Sequence, residues 1–159
     1  MLKNKIISIT FLSVLLTFLP LSTLPANAQD NPFFKPFTGP FATIPFENIK
    51  PEHYLPAFKE GMRLELQEIQ KITDNPLPPS FENTIVAMDR TGKLLDVVSS
   101  AFFGVNGANT TPELQKLARE VSPLLSSHSS AINLNEKLFN RVKAVYDQRA
   151  KLKLNDEQM

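Results

Sequence analysis

Two histidines, His53 and His128, are the only imidazoles in the 159 residues, and there is no cysteine. A protein-bound zinc ion needs three or four nitrogen, sulfur or oxygen ligands, and a helix usually supplies it with two histidines one turn apart. These two lie far apart in the chain. His53 follows Glu52 at the start of a helical stretch, where it reads as a surface or capping residue. His128 sits on an apolar stripe within Ser126-Ser127-His128-Ser129-Ser130 and reads as a hydrogen-bonded interior histidine. A serine nucleophile would need that imidazole positioned as its base, but no GxSxG elbow is present. Neighbours on a helix also point about 100° apart. Gly104-Val105-Asn106-Gly107 is too sparse for a phosphate loop and lacks its lysine. Asn109-Thr110-Thr111 matches a glycosylation sequon, a pattern frequent by chance. The pairs Glu65 with Glu68 and Asp89 with Lys93 read as solvated helix faces. No catalytic, cofactor-binding or metal-ligating residue is therefore predicted in this chain.

The elements that would have to position any such group begin after residue 28. Lys3 and Lys5 open a basic start, Ile6 to Leu19 are mostly apolar, and Ala26-Asn27-Ala28 follows a proline, as in a secretory signal with a small-residue cleavage site. The apolar run is about 14 residues, short of the roughly 20 that a membrane-spanning helix needs. Residues 1–28 are thus expected to be a signal peptide, with the product exported to a periplasm or the medium and not held in a membrane. Its removal takes away two lysines and no acid, so the formal charge falls from +1 to about −1. Basic and acidic residues are interspersed, without the stripe that would neutralise phosphates, so nucleic acid is not expected as a partner. Lack of cysteine excludes disulfides even in an exported chain.

Residues 29–51 interleave Pro32, Pro36, Pro40, Pro45 and Pro51 with Phe33, Phe34, Phe37, Phe41 and Phe46. The prolines forbid a continuous helix, and disordered linkers are poor in aromatics, so an extended strap across a larger body is expected. From Glu52 to Thr73 the spacing of Leu55, Phe58, Met62, Leu66 and Ile69 predicts a helix, ended by Asp74-Asn75-Pro76. Ser80 would cap a second helix along Phe81, Ile85, Met88, Gly92, Leu95, Ser99 and Phe102 to about Val105, with Gly92 inside it as a point of close helix approach. After a turn at Gly104 to Asn109, Thr111 and Pro112 open a third helix along Leu114, Leu117, Val121, Leu125 and His128, kinked at Pro123. A fourth comes after Asn135 along Leu138, Val142, Val145, Arg149 and Leu152, with Lys137, Arg141, Lys143, Asp147 and Lys151 outside. Asn155-Asp156-Glu157-Gln158 looks like the start of a fifth. No strand-like alternation occurs, so residues 52–159 are predicted to be an all-α antiparallel helical bundle.

Ile49-Lys50-Pro51-Glu52-His53-Tyr54-Leu55-Pro56-Ala57-Phe58 with Glu60-Gly61-Met62, then Pro79-Ser80-Phe81-Glu82-Asn83-Thr84-Ile85 with Gly92-Lys93-Leu94-Leu95, resemble the N-terminal region of bacterial peptidyl-dipeptidases. Those enzymes belong to the thimet-oligopeptidase-like zinc metallopeptidases. Phe102-Phe103, Asn109-Thr110, Glu113-Leu114, Ile132-Asn133-Leu134-Asn135, Leu138-Phe139 and Arg141-Val142 continue the likeness in order, so that it covers Asn31 to Met159. The resemblance implies a large two-lobed helical enzyme that releases dipeptides from the C-termini of short peptides. Its zinc would be held by an HExxH helix and a further glutamate. No HExxH occurs here, so zinc is implied for a longer parent protein and not for this chain. The segment would then belong to a non-catalytic lobe that walls the substrate channel, with the C-terminal catalytic region as its intramolecular partner. Two other readings remain open: a stand-alone helical module that binds peptides or a protein, and a structural linker in an envelope assembly.

Overall fold

A computed structural model describes residues 30–152. The signal peptide expected at residues 1–28 and the helix start expected at Asn155 lie outside the described residues. Those residues form helices and turns, with no strand among them. The expectation of an all-α fold holds.

The proline-rich lead-in folds as three single 3-10 turns, Pro32–Phe34, Pro40–Ala42 and Phe46–Asn48, where a fully extended run was expected. Pro32 and Pro40 stand at the first position of their turns, where the preset φ suits the turn and no N–H is needed. Asn31 ties the first turn down. Its side-chain oxygen accepts from the Phe33 N–H at 3.1 Å, and its amide donates to the His53 carbonyl at 2.8 Å. Phe33 is thereby buried against Tyr54, with ring centroids 5.4 Å apart.

Helix α1, Pro51–Thr73, starts with proline at its first position and packs against each of the longer helices after it. Its buried residues, Tyr54, Ala57, Phe58, Gly61, Met62, Ile69 and Ile72, fall on one stripe at three- and four-residue spacing. The main core gathers around it. Phe58 and Phe102 are fully buried, their rings edge to face at 5.5 Å, with Tyr54, Leu95, Val98, Ala101, Leu114, Leu117 and Val121 about them. Such ring pairs add about 1 kcal/mol beyond the area they remove from water. A second, smaller cluster joins Ile69, Ile72 and Leu138, with Ala87, Met88 and Ile132 packed against it.

The predicted second helix is in fact two. Ser80 caps a π-helical stretch, Phe81–Val86, that runs into the short helix α2, Ala87–Asp89. The chain then breaks at Arg90 to Gly92, and α3, Lys93–Ala108, begins after it. Gly92 is not inside a helix. It sits at the start of α3 with φ +73°, a left-handed conformation that favours glycine. The far end differs too, since α3 continues to Ala108 where a turn from Gly104 was expected. Burial of Val98, Ala101 and Phe102, with Val105 packed beside them, outweighs the roughly 1 kcal/mol of propensity lost at each late glycine.

Helix α4, Pro112–Asn133, has the predicted start. The Thr111 hydroxyl accepts from the Leu114 N–H at 3.2 Å, and Pro112 takes the first position. The helix runs on through Pro123. Helix α5, Glu136–Asp147, is capped by Asn135 at 3.0 Å and ends before a 3-10 turn, Arg149–Lys151, so Arg149 lies beyond the helix and outside the core.

Arg141 is a further correction. Three residues after Leu138 and four before Val145, it lies on the inner stripe of α5 and is only 8% exposed. Its guanidinium donates to the carbonyls of Asn75 and Leu77 at 3.0 and 3.4 Å and to the Asn83 side-chain oxygen at 3.0 Å. Asn83 in turn accepts from the Ser80 N–H and donates to the Pro78 carbonyl, both at 2.9 Å. One buried cation thus satisfies the loop that links α1 to the π turn.

Close approach is met at Gly61. A Cβ there would lie 3.0 Å from the backbone of Leu95 on α3, whereas a Cβ at Gly104 would meet nothing within 4 Å. Gly61→Ala should therefore cost about 1–3 kcal/mol despite its better helix propensity, while Gly104→Ala should gain up to about 1 kcal/mol. The two variants should move the midpoint of helical circular-dichroism loss in opposite directions; equal shifts would refute the crossing. Arg141→Met, which strands the Asn75 carbonyl, should cost about 1–3 kcal/mol on the same readout.

Candidate functional site

The inward stripe of α1 carries two acids, Glu65 and Glu68. Glu65 comes one turn after Gly61 and Met62 and one turn before Ile69, so the helix aims it inward among apolar neighbours. The stripe of α4 contains one histidine in the same way: after Leu114, Leu117 and Val121 comes His128, 8% exposed. The two meet. His128 Nε2 lies 2.7 Å from Glu65 Oε2, within hydrogen-bond distance. His128 Nδ1 is buried with no hydrogen-bond partner.

A second carboxylate reaches the same place. Glu68 Oε2 accepts the backbone N–H of Gly92 at 2.9 Å, and the Gly92 carbonyl accepts the first bond of α3, from Asp96, at 2.9 Å. A Cβ on Gly92 would stand 2.8 Å from the carboxyl of Glu65. Glycine is thus required there twice, for its positive φ and for the room Glu65 occupies. Glu65, Glu68 and Asp96 all sit near the N-terminus of α3, where the unpaired N–H groups and the helix dipole favour negative charge.

Beside this junction lies an open cleft of about 370 Å³ lined by Glu65, Asp96, Ser99, Leu125, His128 and Asn133, among others. Its chemistry is limited. Ser129, also in its wall, accepts from Asn133 at 3.1 Å and makes no bond to the imidazole. Ser130 and Ser122 donate back to carbonyls one turn earlier. No serine is therefore paired with His128 as a nucleophile would be. Among the described residues no group of three or more His, Cys, Asp or Glu could hold a metal ion. The residues present do not fit a zinc site.

His53 does what its position suggests. Its Nδ1 accepts the Lys50 N–H at 3.0 Å and caps the start of α1. Glu65 and Glu68, expected to be solvated surface acids, are instead the fasteners of α4 and of the start of α3. The signal for Glu65 was present, since it breaks an apolar stripe at a position where periodicity demands burial. Glu68, seven residues after Gly61 and four before Ile72, carried the same signal, but its partner, a backbone N–H exposed by a helix break, was not legible.

Two exposed ion pairs shift their acids. The Arg63 guanidinium, at 2.6 and 2.7 Å, holds the Glu60 carboxyl below its usual range. Hydrogen bonds from Lys137 at 3.1 Å and from Gln70 do the same for Asp74, and the first of them joins the end of α1 to the start of α5.

The chain is thus an all-α assembly around one central helix, with a polar junction where α1, α3 and α4 meet. Over 129 residues the chain is 42% identical to the dipeptidyl carboxypeptidase of Salmonella typhimurium, covering 81% of this chain and 19% of that one. Over 127 residues it is 42% identical to the dipeptidyl carboxypeptidase of Escherichia coli, covering 80% of this chain and 19% of the other. Oligopeptidase A of Salmonella typhimurium is 27% identical over 112 residues, 70% of this chain and 16% of that one. The chain is a homologue of the dipeptidyl carboxypeptidases and, more distantly, of oligopeptidase A, in agreement with the resemblance carried by its motifs. It spans about a fifth of the length of these curated relatives. No family model matches it.

If Glu65 and His128 are fasteners, their effects must be coupled. Glu65→Leu or His128→Leu alone should cost about 2 kcal/mol or more by stranding a buried partner. The double variant should recover most of that loss, and additive costs in the double-mutant cycle would show that the pair is not joined. Acid should act through Asp74 and Glu60. Both are held below the usual carboxylate range, so the stability they contribute is present at neutral pH and is lost as pH falls through the lowered values. Asp74→Asn should shrink this acid sensitivity in a pH titration of the thermal midpoint.

Proposed function

We propose that this chain is the N-terminal part of an exported, zinc-dependent peptidase that releases dipeptides from the C-termini of short peptides. The observation that carries the reading is the 42% identity to dipeptidyl carboxypeptidases over four-fifths of the chain, set beside a coverage of only a fifth of their length. In this reading residues 52–159 belong to a non-catalytic lobe that walls the substrate channel, and residues 29–51 strap across it. Catalytic and zinc-binding residues are supplied by the rest of the polypeptide, which is also the segment's intramolecular partner. Zinc would there activate the water that attacks the peptide. Support for the division of labour comes from the sequence, which has only His53 and His128 and no HExxH, and from the use of His128 in fastening α4 to α1. Support for export is the basic start and apolar run of residues 1–28. No helix among the described residues is long and apolar enough to cross a membrane.

A second reading, a stand-alone helical binding module, is favoured by one observation: the described residues close a core of their own around Phe58 and Phe102. It requires a single cooperative, reversible thermal transition in residues 29–159 alone.

The gene's reading frame and the purified proteins decide between them. The expected outcome is a frame that continues past Met159 into an HExxH sequence. Its full product should release dipeptides from short peptides and lose that activity to a zinc chelator, while the 159-residue chain releases none. A frame that closes after Met159, or a full product indifferent to the chelator, would refute the peptidase reading.

A further inference from the structure

Helix α5 carries apolar side chains well beyond the surface it buries. At 100° per residue, Leu138, Arg141 and Val145 centre on one direction, and these residues face α1 and the π turn. Phe139, Val142 and Tyr146 lie about a quarter-turn further round, on the same side of the charged face made by Lys143 and Asp147. That second face is uncovered: Phe139 is 62% and Tyr146 59% exposed, with Val142 half-buried between them. Two aromatic side chains seven residues apart form a ridge at the spacing by which a second helix docks. The rim is already neutral, because Lys143 and Asp147 pair at 2.6 Å. At one end the Arg149 guanidinium stacks 3.9 Å over the Tyr146 ring, placing a positive charge there.

We infer that the Phe139, Val142 and Tyr146 face of α5 is the seat of an apolar helix from the remainder of the polypeptide, with an acidic residue at the end that meets Arg149. The inference rests on the proposed function, in which this chain is part of a longer one. The occupant is assigned to the same polypeptide for two reasons. The relatives are about five times the length of the region matched. Successive helices are also usually neighbours in space, so the next helix after α5 in the chain is best placed to cover it. An exposed aromatic ridge of this kind on a free-standing surface would otherwise favour association.

The test uses the full product of the gene, with the photo-crosslinker p-benzoylphenylalanine placed at Phe139. Irradiation should give an intramolecular crosslink, mapped by mass spectrometry to a helix beyond residue 152. A crosslink between two copies would assign the face to self-association and overturn the inference, as would a crosslink confined to residues 30–152 or none at all. As a second measurement, the pair Phe139→Ser and Tyr146→Ser should lower the melting temperature of the full product by several degrees and leave that of the 159-residue chain unchanged or raised. Equal lowering in both would also overturn it. Dipeptide release is read in parallel on the unirradiated protein. An active product without the crosslink refutes this inference alone, and an inactive product with it refutes the peptidase reading alone.

Discussion

The crossing of α1 and α3 at Gly61 is the constraint on which the other packing depends. With no side chain at Gly61, the backbone of Leu95 comes to where a Cβ would stand at 3.0 Å. That closeness puts Phe58, one turn before Gly61, edge to face against Phe102, two turns after Leu95. It also lets Tyr54 reach both Phe102 and Phe33. The ladder of rings therefore runs from the 3-10 turn at Pro32 through the core to α3 without a gap. A methyl group at Gly61 would separate the two helices by part of an ångström, and close-packed interiors do not absorb such a shift locally.

The same closeness accounts for the polar junction further along α1. Once α3 is pressed onto α1, its first turn must begin beside Glu65 and Glu68, and the chain entering that turn has to reverse in little space. Gly92 makes the reversal at φ +73°. Its N–H finds Glu68, and the carboxyl of Glu65 fills the volume that any larger residue would need. Glu65 is then free to turn its other oxygen to His128, which brings α4 into register with α1. A buried ionisable pair is a weak source of net stability, but it rejects alternative registers, because a slip of α4 by one residue would leave both groups unpaired. The junction thereby registers α4 and the start of α3 against α1.

How much of this was legible depended on whether the partner was local. The start of α1 to within one residue of Glu52, the caps at Ser80 and Thr111, the start of α5 after Asn135, and the interior place of His128 were all readable, because each is set by residues within a turn or two. The break at Arg90 to Gly92 was not. The apolar period runs through it unbroken from Met88 to Leu95, and only the carboxylates arriving from α1 require the turn. Arg141 misled for a related reason: a charged residue on an amphipathic helix is ordinarily outside, and its partners are carbonyls of a proline-rich loop that no periodicity reveals. The two late glycines of α3 suggested a turn because propensity was weighed without the burial that overrides it.

The distribution of polar and apolar surface bears on what such a segment is for. Inside, His128 holds Glu65, Glu68 holds Gly92, and Arg141 holds the loop after α1, while His128 Nδ1 and Arg141 Nε are buried without a hydrogen-bond partner. The serines around His128 bond to carbonyls or to Asn133 rather than to the ring. Outside, large apolar side chains stay uncovered on several helices, among them Leu66, Phe103, Leu124 and Phe139. Polar groups turned inward fasten the helices to one another, and apolar side chains turned outward leave faces uncovered, in keeping with the supporting role proposed above.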